Sequence, residues 1–100
     1  MSYEVQFAAL SHPLRQRILT RLSDGEASVR ALTDILPASQ PVISQHLKVL
    51  KEAGLVSASA VGMKNIYRIE PEGLAELRAF LEQHWLASLT GLGRGGGGDD

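Results

Sequence analysis

The sequence contains no cysteine among its 100 residues, and this absence excludes several kinds of chemistry. Without thiols the chain cannot form a disulfide, a thiolate metal site or a cysteine nucleophile. It also lacks any apolar run near the roughly 20 residues that a transmembrane helix requires, so we expect no membrane contact. The N-terminus has no basic segment followed by a continuous apolar block, the pattern of a secretory signal, and we therefore expect a cytoplasmic protein.

The chain also has little net charge, because ten Lys and Arg oppose eleven Asp and Glu. That balance alone does not favour a nucleic-acid partner. However, residues 12–68 carry eight Lys or Arg against four Asp or Glu, whereas both flanking segments are acidic. Chance variation in a short chain explains this division as well as a basic binding surface does, so charge alone leaves both explanations open.

Length and composition predict one small domain with a limited hydrophobic core, which favours burial of further apolar surface in a dimer. We assign residues 1–90 to this domain. Residues 91–100, GLGRGGGGDD, cannot bury enough apolar surface to fold and are predicted to form a flexible tail. No nucleophile, base and orienting group stand at a recognisable spacing, so the sequence does not predict an enzyme.

Hydrophobic spacing predicts two helices at the start of the chain. Tyr3, Phe7 and Leu10 recur at helical spacing and indicate a short first helix. Pro13 predicts the start of a second helix, because its missing N–H costs nothing in a first turn, and Gly25 follows its end. The apolar stripe of this second helix consists of Leu14, Ile18, Leu19 and Leu22.

The segment from Ser28 to Gly54 is predicted to be a helix-turn-helix. Ser28 can cap a third helix, which Pro37 prevents from continuing. Ser39 can cap a fourth helix that runs to Ala53 and is followed by Gly54 in the left-handed conformation. Two helices joined by so tight a turn are typical of DNA-binding domains.

After this segment the pattern changes to that of a β-hairpin and one more helix. Leu55–Val61 is small and β-branched, a turn follows over residues 62–64, and residues 65–69 alternate. Pro71 then predicts the start of a last helix with more apolar surface than one core can cover. Its predicted apolar side contains Leu74, Leu77, Leu81, Trp85 and Ser88, with Phe80, Leu86 and Leu89 lying off it. The predicted fold is mainly α with a small β-hairpin, a winged helix-turn-helix.

The fourth helix has two chemically different sides at about 100° of rotation per residue. We expect the apolar side to pack on the domain; it consists of Val42, Ile43, His46, Leu47, Val49, Leu50 and Ala53. The opposite side is rich in amide, hydroxyl and ammonium groups and consists of Gln40, Pro41, Ser44, Gln45, Lys48, Lys51 and Glu52. Such groups suit bases and phosphates, although a solvated helix face is the simpler alternative for each residue taken singly.

Within this polar side the position along the helix suggests different roles. Gln40, Ser44 and Gln45 stand near the start, which is the end of a recognition helix that reaches base edges. Lys48 and Lys51 are better placed for the DNA backbone. The positive helix N-terminus also favours a phosphate near Ser39.

Three hairpin residues and one histidine complete the set of candidates. Lys64 and Asn65 at the hairpin tip could reach phosphates or the minor groove, with Arg68 reinforcing them, although a solvated turn explains Asn65 equally well. His46 lies on the apolar side, so we predict a structural role with a ring nitrogen bonded to the backbone or to a neighbouring polar group.

The segments FAALSHPLRQRIL, GEASVRAL, SQPVISQHLKVLKEAGLV and GMKNIYRI resemble the ArsR/SmtB family of bacterial repressors from Phe7 to about Leu89. The resemblance implies a homodimer formed through the first and last helices, binding of double-stranded DNA at an inverted-repeat operator, and repression relieved by a signal. It makes Phe7, Leu77, Leu81 and Trp85 candidates for the dimer interface, though any of them could instead belong to the monomer core.

Many members of this family sense metals, but this chain departs from both of their usual sites. Where a third-helix motif ELCVCDL supplies two cysteines, Ser28 and Arg30 stand here. The last helix offers only His84 with scattered glutamates, whereas zinc requires about four well-arranged ligands. We therefore expect no metal and no cofactor, and we interpret the chain as a metal-independent dimeric repressor, with control of its own promoter as one option. Two alternatives stay open: a repressor that senses a small molecule or an N/O-coordinated metal at the dimer interface, and a winged helix used for protein binding.

Overall fold

The computed structural model describes residues 3–86 of the chain, without the side chain of Leu86. In chain order these residues form α1 (Tyr3–Leu10), α2 (Pro13–Leu22), β1 (Ala27–Ser28), α3 (Val29–Ile35), α4 (Gln40–Glu52), β2 (Val56–Val61), β3 (Lys64–Ile69) and α5 (Ala75–Leu81). A 3-10 turn, Pro71–Leu74, precedes α5, and a π-helical turn, Glu82–Leu86, continues it. The predicted tail, with Ser88 and Leu89, lies outside the described residues, and the division at residue 90 stays a prediction.

Most of the predicted helix boundaries are confirmed, because they depend on local hydrogen bonds and backbone angles. The Ser28 hydroxyl accepts a bond from the Ala31 backbone N–H at 3.1 Å and caps α3. α2 begins at Pro13, where the side chain of His12 accepts from the Leu14 N–H at 3.1 Å. Gly54 follows α4 with a φ of +77°, the left-handed conformation that ends many helices.

One predicted helix cap and one predicted helix start need correction. Ser39 occupies the N-cap position of α4 but makes no capping hydrogen bond. Pro41, the second residue of α4, has no N–H and removes one of the two donors that an N-cap side chain normally uses. Pro71 begins a 3-10 turn, and α5 begins only at Ala75. Within this turn the Gly73 carbonyl accepts a hydrogen bond from the side chain of Gln6.

The sheet contains the predicted hairpin and one strand that the sequence did not reveal. β2 and β3 pair antiparallel from Val56–Ile69 to Val61–Lys64, and Gly62 takes a φ of +62° at the first position of the two-residue turn. β1 pairs antiparallel with β3, giving the order β1-β3-β2. Because β1 has only two residues, it is too short to show any alternation in the sequence. Its pairing with β3 places the start of α3 beside the hairpin.

The hydrophobic core lies between the helices and the sheet. Its buried side chains are Ala9, Ile18, Leu22, Ala27, Leu32, Leu36, Ile43, Leu47, Leu50, Ala53, Leu55 and Val56. The predicted packing side of α4 is confirmed except at Val42, which is 42% exposed because it lies at the edge of the apolar stripe in the first turn. No helix within residues 3–86 is long and apolar enough to cross a membrane.

Of the apolar residues that marked the first helix, Leu10 packs against the core, but the fully buried residues of the helix are different ones. Gln6 and Ala9 are the buried residues of α1, whereas Phe7 is 38% exposed. The Gln6 amide donates to the Gly73 carbonyl and so joins α1 to the turn before α5. Aromatic spacing at Tyr3 and Phe7 therefore marks a second apolar face and not the side that meets the core.

We expect Gly73→Ala to destabilise the fold by about 1–3 kcal/mol, the usual cost of overpacking. A Cβ at Gly73 would overlap the carbonyl oxygen of Gly54, and no rotation about a side-chain bond can separate these two atoms. The free energy of unfolding from urea titration measures this effect. Glu72→Ala changes an exposed neighbour and should stay within about 0.5 kcal/mol of the wild type. Equal stabilities for the two variants would contradict the close packing.

Candidate nucleic-acid interface

The polar side of α4 points into solvent, because its opposite side is anchored in the core. Ile43, Leu47 and Leu50 are each 0% exposed, so the helix cannot rotate without exposing three large apolar side chains. All of the predicted DNA-contacting residues of this segment are exposed: Ser39, Gln40, Pro41, Ser44, Gln45, Lys48 and Lys51. Glu52 adds one carboxylate at the far end, so the surface is mainly amide, hydroxyl and ammonium.

A groove joins the start of α4 to the hairpin. Its volume is about 360 Å³, and its lining consists of Ser28, Val29, Arg30, Gln40, Ser44, Met63, Lys64, Asn65 and Tyr67. It brings together Gln40 and Ser44 of α4 with Lys64 and Asn65 of the hairpin, four residues predicted separately. Arg30 was not predicted as part of this surface. Its sequence position next to β1 could have suggested it only if the pairing of β1 with β3 were known.

Other predicted contacts lie outside the groove. Gln45, Lys48 and Lys51 are exposed on α4 but do not line it. Arg68 donates a hydrogen bond of 2.9 Å to the Ser59 hydroxyl on the neighbouring strand. Arg68 is not among the residues that line the groove. A DNA contact by Arg68 therefore stays a prediction without support from this arrangement.

His46 lies at the edge of the core and not within it, since its side chain is only half-buried. The expectation of a polar neighbour is confirmed, because His46 Nδ1 lies 3.5 Å from Arg15 Nη1. The His12 ring also contacts it, with ring centroids 4.4 Å apart. Burial lowers the pKa of His46, and the nearby His12 and Arg15 lower it further. The arrangement favours a neutral imidazole that fills space between α2 and α4.

An aromatic cluster connects α1 with α5. Phe80, predicted to lie off the apolar side of the last helix, is its centre. Phe80 stacks on Tyr3 at a centroid distance of 4.3 Å and meets the rings of Phe7 and Trp85 edge-on, both at 5.6 Å. Helical spacing within the last helix could not show this role, because the cluster forms only where α1 packs against α5.

The four candidates for a dimer interface differ in exposure. Leu77 is 5% exposed and already covered within the chain, and Leu81 is half-buried. Phe7 and Trp85, at 38% and 52% exposure, still present apolar surface to solvent. The structure thus leaves an exposed aromatic face on α1 and α5. The dimer interface itself stays a prediction.

The residues that replace the cysteines of metal-sensing relatives do not fit a divalent cation. The Ser28 hydroxyl is used in capping α3, and Arg30 carries a positive charge. Across the part of the chain that the structure describes, no three His, Asp or Glu side chains come together as a metal site would require.

Comparison with known proteins finds a consistent set of relatives. Residues 12–58 match the family described as bacterial regulatory protein, arsR family. The HTH-type transcriptional regulator Rv2034 of Mycobacterium tuberculosis is 45% identical over 83 residues, which are 83% of this chain and 78% of the relative. The HTH-type transcriptional repressor SmtB of the same species is 39% identical over 69 residues, 69% of this chain and 51% of SmtB.

Solved structures agree with the observed fold. A crystal structure described as a possible transcriptional regulator for arsenical resistance superposes with a TM-score of 0.73 at 44% sequence identity. The match covers 80% of this chain and 83% of the other. The winged helix-turn-helix is therefore the shared architecture of these proteins.

We expect the stability of the protein to fall as the pH is lowered from about 7.5 to 5.5, with His46 as one source. Its pKa in the folded state lies below the ordinary value of about 6.5, so the unfolded chain binds more protons between those two values. Stability from this group is complete above that range and declines on acidification. Urea unfolding at several pH values tests this dependence.

His46→Gln should show a smaller decline over the same pH range. Gln45→Ala, which changes an exposed neighbour without a titratable group, should keep the wild-type slope. Identical slopes for His46→Gln and the wild type would show that His46 does not titrate differently in the two states.

Proposed function

Because this chain belongs to the ArsR family of bacterial regulatory proteins and is a DNA-binding transcriptional regulator, we propose that it represses transcription as a homodimer on an inverted-repeat operator. The family consists of regulators, so the chain is not an enzyme. The observation that carries the proposal is the groove in which the start of α4 and the hairpin tip meet, beside a fully exposed polar helix face. We place the protein in the cytoplasm with its DNA.

In this proposal α4 enters the major groove and reads bases with its first turns. Gln40, Ser44 and Gln45 supply donors and acceptors for base edges, since a Gln side chain can pair with N6 and N7 of adenine. Lys48 and Lys51 contact phosphates farther along the helix. Lys64 and Asn65 at the hairpin tip contact the backbone or the adjacent minor groove.

The homodimer would form through α1 and α5, whose exposed aromatic face has no cover within the described residues. The second copy would bury Phe7 and Trp85 and would complete the burial of Leu81, which is half-buried in the single chain. A two-fold axis would present two α4 helices to successive major grooves, about 34–36 Å apart, which is why the operator is an inverted repeat.

We also propose that repression does not depend on a metal, since Ser28 and Arg30 do not suit a cation.

A second candidate is a repressor that responds to a small molecule. A hollow of about 430 Å³ lies against α1 and α5, lined by Tyr3, Glu76, Ala79, Phe80, Gln83 and His84. If repression is metal-independent, or if it responds to a small organic molecule, zinc or a chelator should leave operator affinity unchanged. A large change in affinity would favour a metal bound by nitrogen and oxygen ligands in this hollow.

We expect Gln40→Ala or Ser44→Ala to weaken binding to the cognate operator by about 1–3 kcal/mol and to relax sequence preference. Lys51→Ala should weaken binding to every sequence and flatten the dependence of affinity on salt. Fluorescence anisotropy measures both effects on DNA from upstream of the protein's own gene and on a random duplex. Gln83→Ala, an exposed Gln on the π-helical turn, is the matched control and should bind as the wild type does.

Two results would contradict these assignments. Equal losses on cognate and random DNA for all three variants would remove the distinction between base and backbone contacts. Absence of any DNA binding by the dimer at low salt would overturn the proposed function, and weak salt dependence would favour a protein-binding winged helix.

We expect Trp85→Glu to convert the dimer into a monomer, because a carboxylate would be buried at an aromatic interface without a partner. Sedimentation velocity measures the mass directly. Val61→Glu is the matched control, since Val61 is 60% exposed on β2, outside the α1–α5 face. The control should remain dimeric, and a dimeric Trp85→Glu protein would place the interface elsewhere.

A further inference from the structure

One of the positively charged side chains that line the groove between the helices and the hairpin has no role in the proposed function. Arg30, the second residue of α3, is exposed and lines this groove together with Lys64 of the hairpin. The antiparallel pairing of Ser28 with Ile66 fixes the start of α3 against β3. Arg30 is therefore held beside the hairpin by backbone hydrogen bonds and does not depend on a flexible loop for its position.

The guanidinium of Arg30 is not used within the structure. In residues 3–86 no hydrogen bond or ion pair engages it, although Asp34 follows it by one turn on α3. A basic residue preceding an acidic one by four positions is the weaker order for a helical ion pair. The charge of Arg30 is consequently open to a ligand from solvent.

The chemistry of the groove suits a phosphate. Arg30 and Lys64 contribute two positive charges to its lining, and Gln40, Ser44 and Asn65 contribute neutral donors. No carboxylate lines it. An anion held here would meet no repulsion, whereas a cation would meet two like charges.

The position of the groove suggests which phosphate it would bind. If α4 lies in the major groove and the hairpin reaches the adjacent minor groove, one sugar-phosphate strand separates the two grooves and must pass between these elements. The region between them is the groove that Arg30 lines. We infer that Arg30 binds the phosphodiester backbone of this strand, next to the contact of Lys64. The inference rests on the proposed function and adds a contact from α3 to it.

An arginine suits this contact better than a lysine would. Its planar guanidinium can donate two parallel hydrogen bonds to two oxygens of one phosphate. Such a contact fixes the orientation of the protein on the duplex without reading a base. Arg30 should therefore contribute to affinity on every sequence and not to the choice of operator.

Salt-dependent binding measurements separate this contact from a base contact. Arg30→Ala should bind both the operator and a random duplex about tenfold more weakly, as expected for loss of a charged hydrogen bond. The slope of log affinity against log salt should become less steep by about 0.9 for each bound subunit. Arg30→Lys should keep the wild-type slope with intermediate affinity. Arg78→Ala removes an equal charge from α5 and should keep wild-type affinity and slope.

A phosphate scan locates the contact on the DNA. Each phosphate of the operator is replaced in turn by a neutral methylphosphonate, and affinity is measured for the wild type and for Arg30→Ala. The wild type should lose affinity at one position per half-site at which Arg30→Ala is insensitive. Thermal unfolding of Arg30→Ala should match the wild type, because the side chain is exposed.

The outcomes distinguish this inference from the function on which it rests. Salt-dependent operator binding by the wild type, with unchanged affinity and slope in Arg30→Ala, would overturn the inference alone. Lack of DNA binding by the wild type would overturn both. Binding of inorganic phosphate to the DNA-free protein, together with an unchanged DNA slope in Arg30→Ala, would assign the groove to a free anion instead.

Discussion

Burial of one side of α4 is the constraint on which the rest of the surface depends. Ile43, Leu47 and Leu50 are wholly enclosed by the other helices and the sheet. Complete burial of a Leu or Ile side chain contributes about 1.5–3 kcal/mol, so rotating this helix would forfeit several such terms at once. The orientation of the amides and ammonium groups on the opposite side is therefore fixed by apolar packing. The polar residues could vary in identity without any change in where they point.

The sequence predicted those features that are decided by neighbours along the chain. The Ser28 cap, the left-handed Gly54 and the turn at Gly62 each depend on one residue and its immediate backbone, and all three are present. The two sides of α4 followed from helical spacing over 13 residues, long enough for the pattern to dominate. Val42 departs from it because a residue at the border of a stripe is covered or exposed according to what lies beside it.

Features that depend on distant parts of the chain were not predictable in the same way. β1 has no pattern of its own and exists because β3 offers an edge to pair with. Phe80 becomes the centre of an aromatic cluster only when α1 packs on α5. The same limit applies to the candidate site: Gln40, Ser44, Lys64 and Asn65 were identified singly, while the groove that unites them with Arg30 results from the sheet topology.

The structure connects the first helix to α4 at two points. Arg15 of α2 donates to the Ala9 carbonyl of α1 at 2.7 Å and also contacts His46 of α4. Gln6 of α1 bonds to the Gly73 carbonyl, and Gly73 in turn lies directly against the backbone that follows α4. One link reaches the middle of α4 through polar contacts, and the other reaches its C-terminal end through a hydrogen bond followed by close backbone packing. If α1 and α5 carry the dimer interface, these contacts, together with the hydrophobic core, connect the interface to the recognition helix.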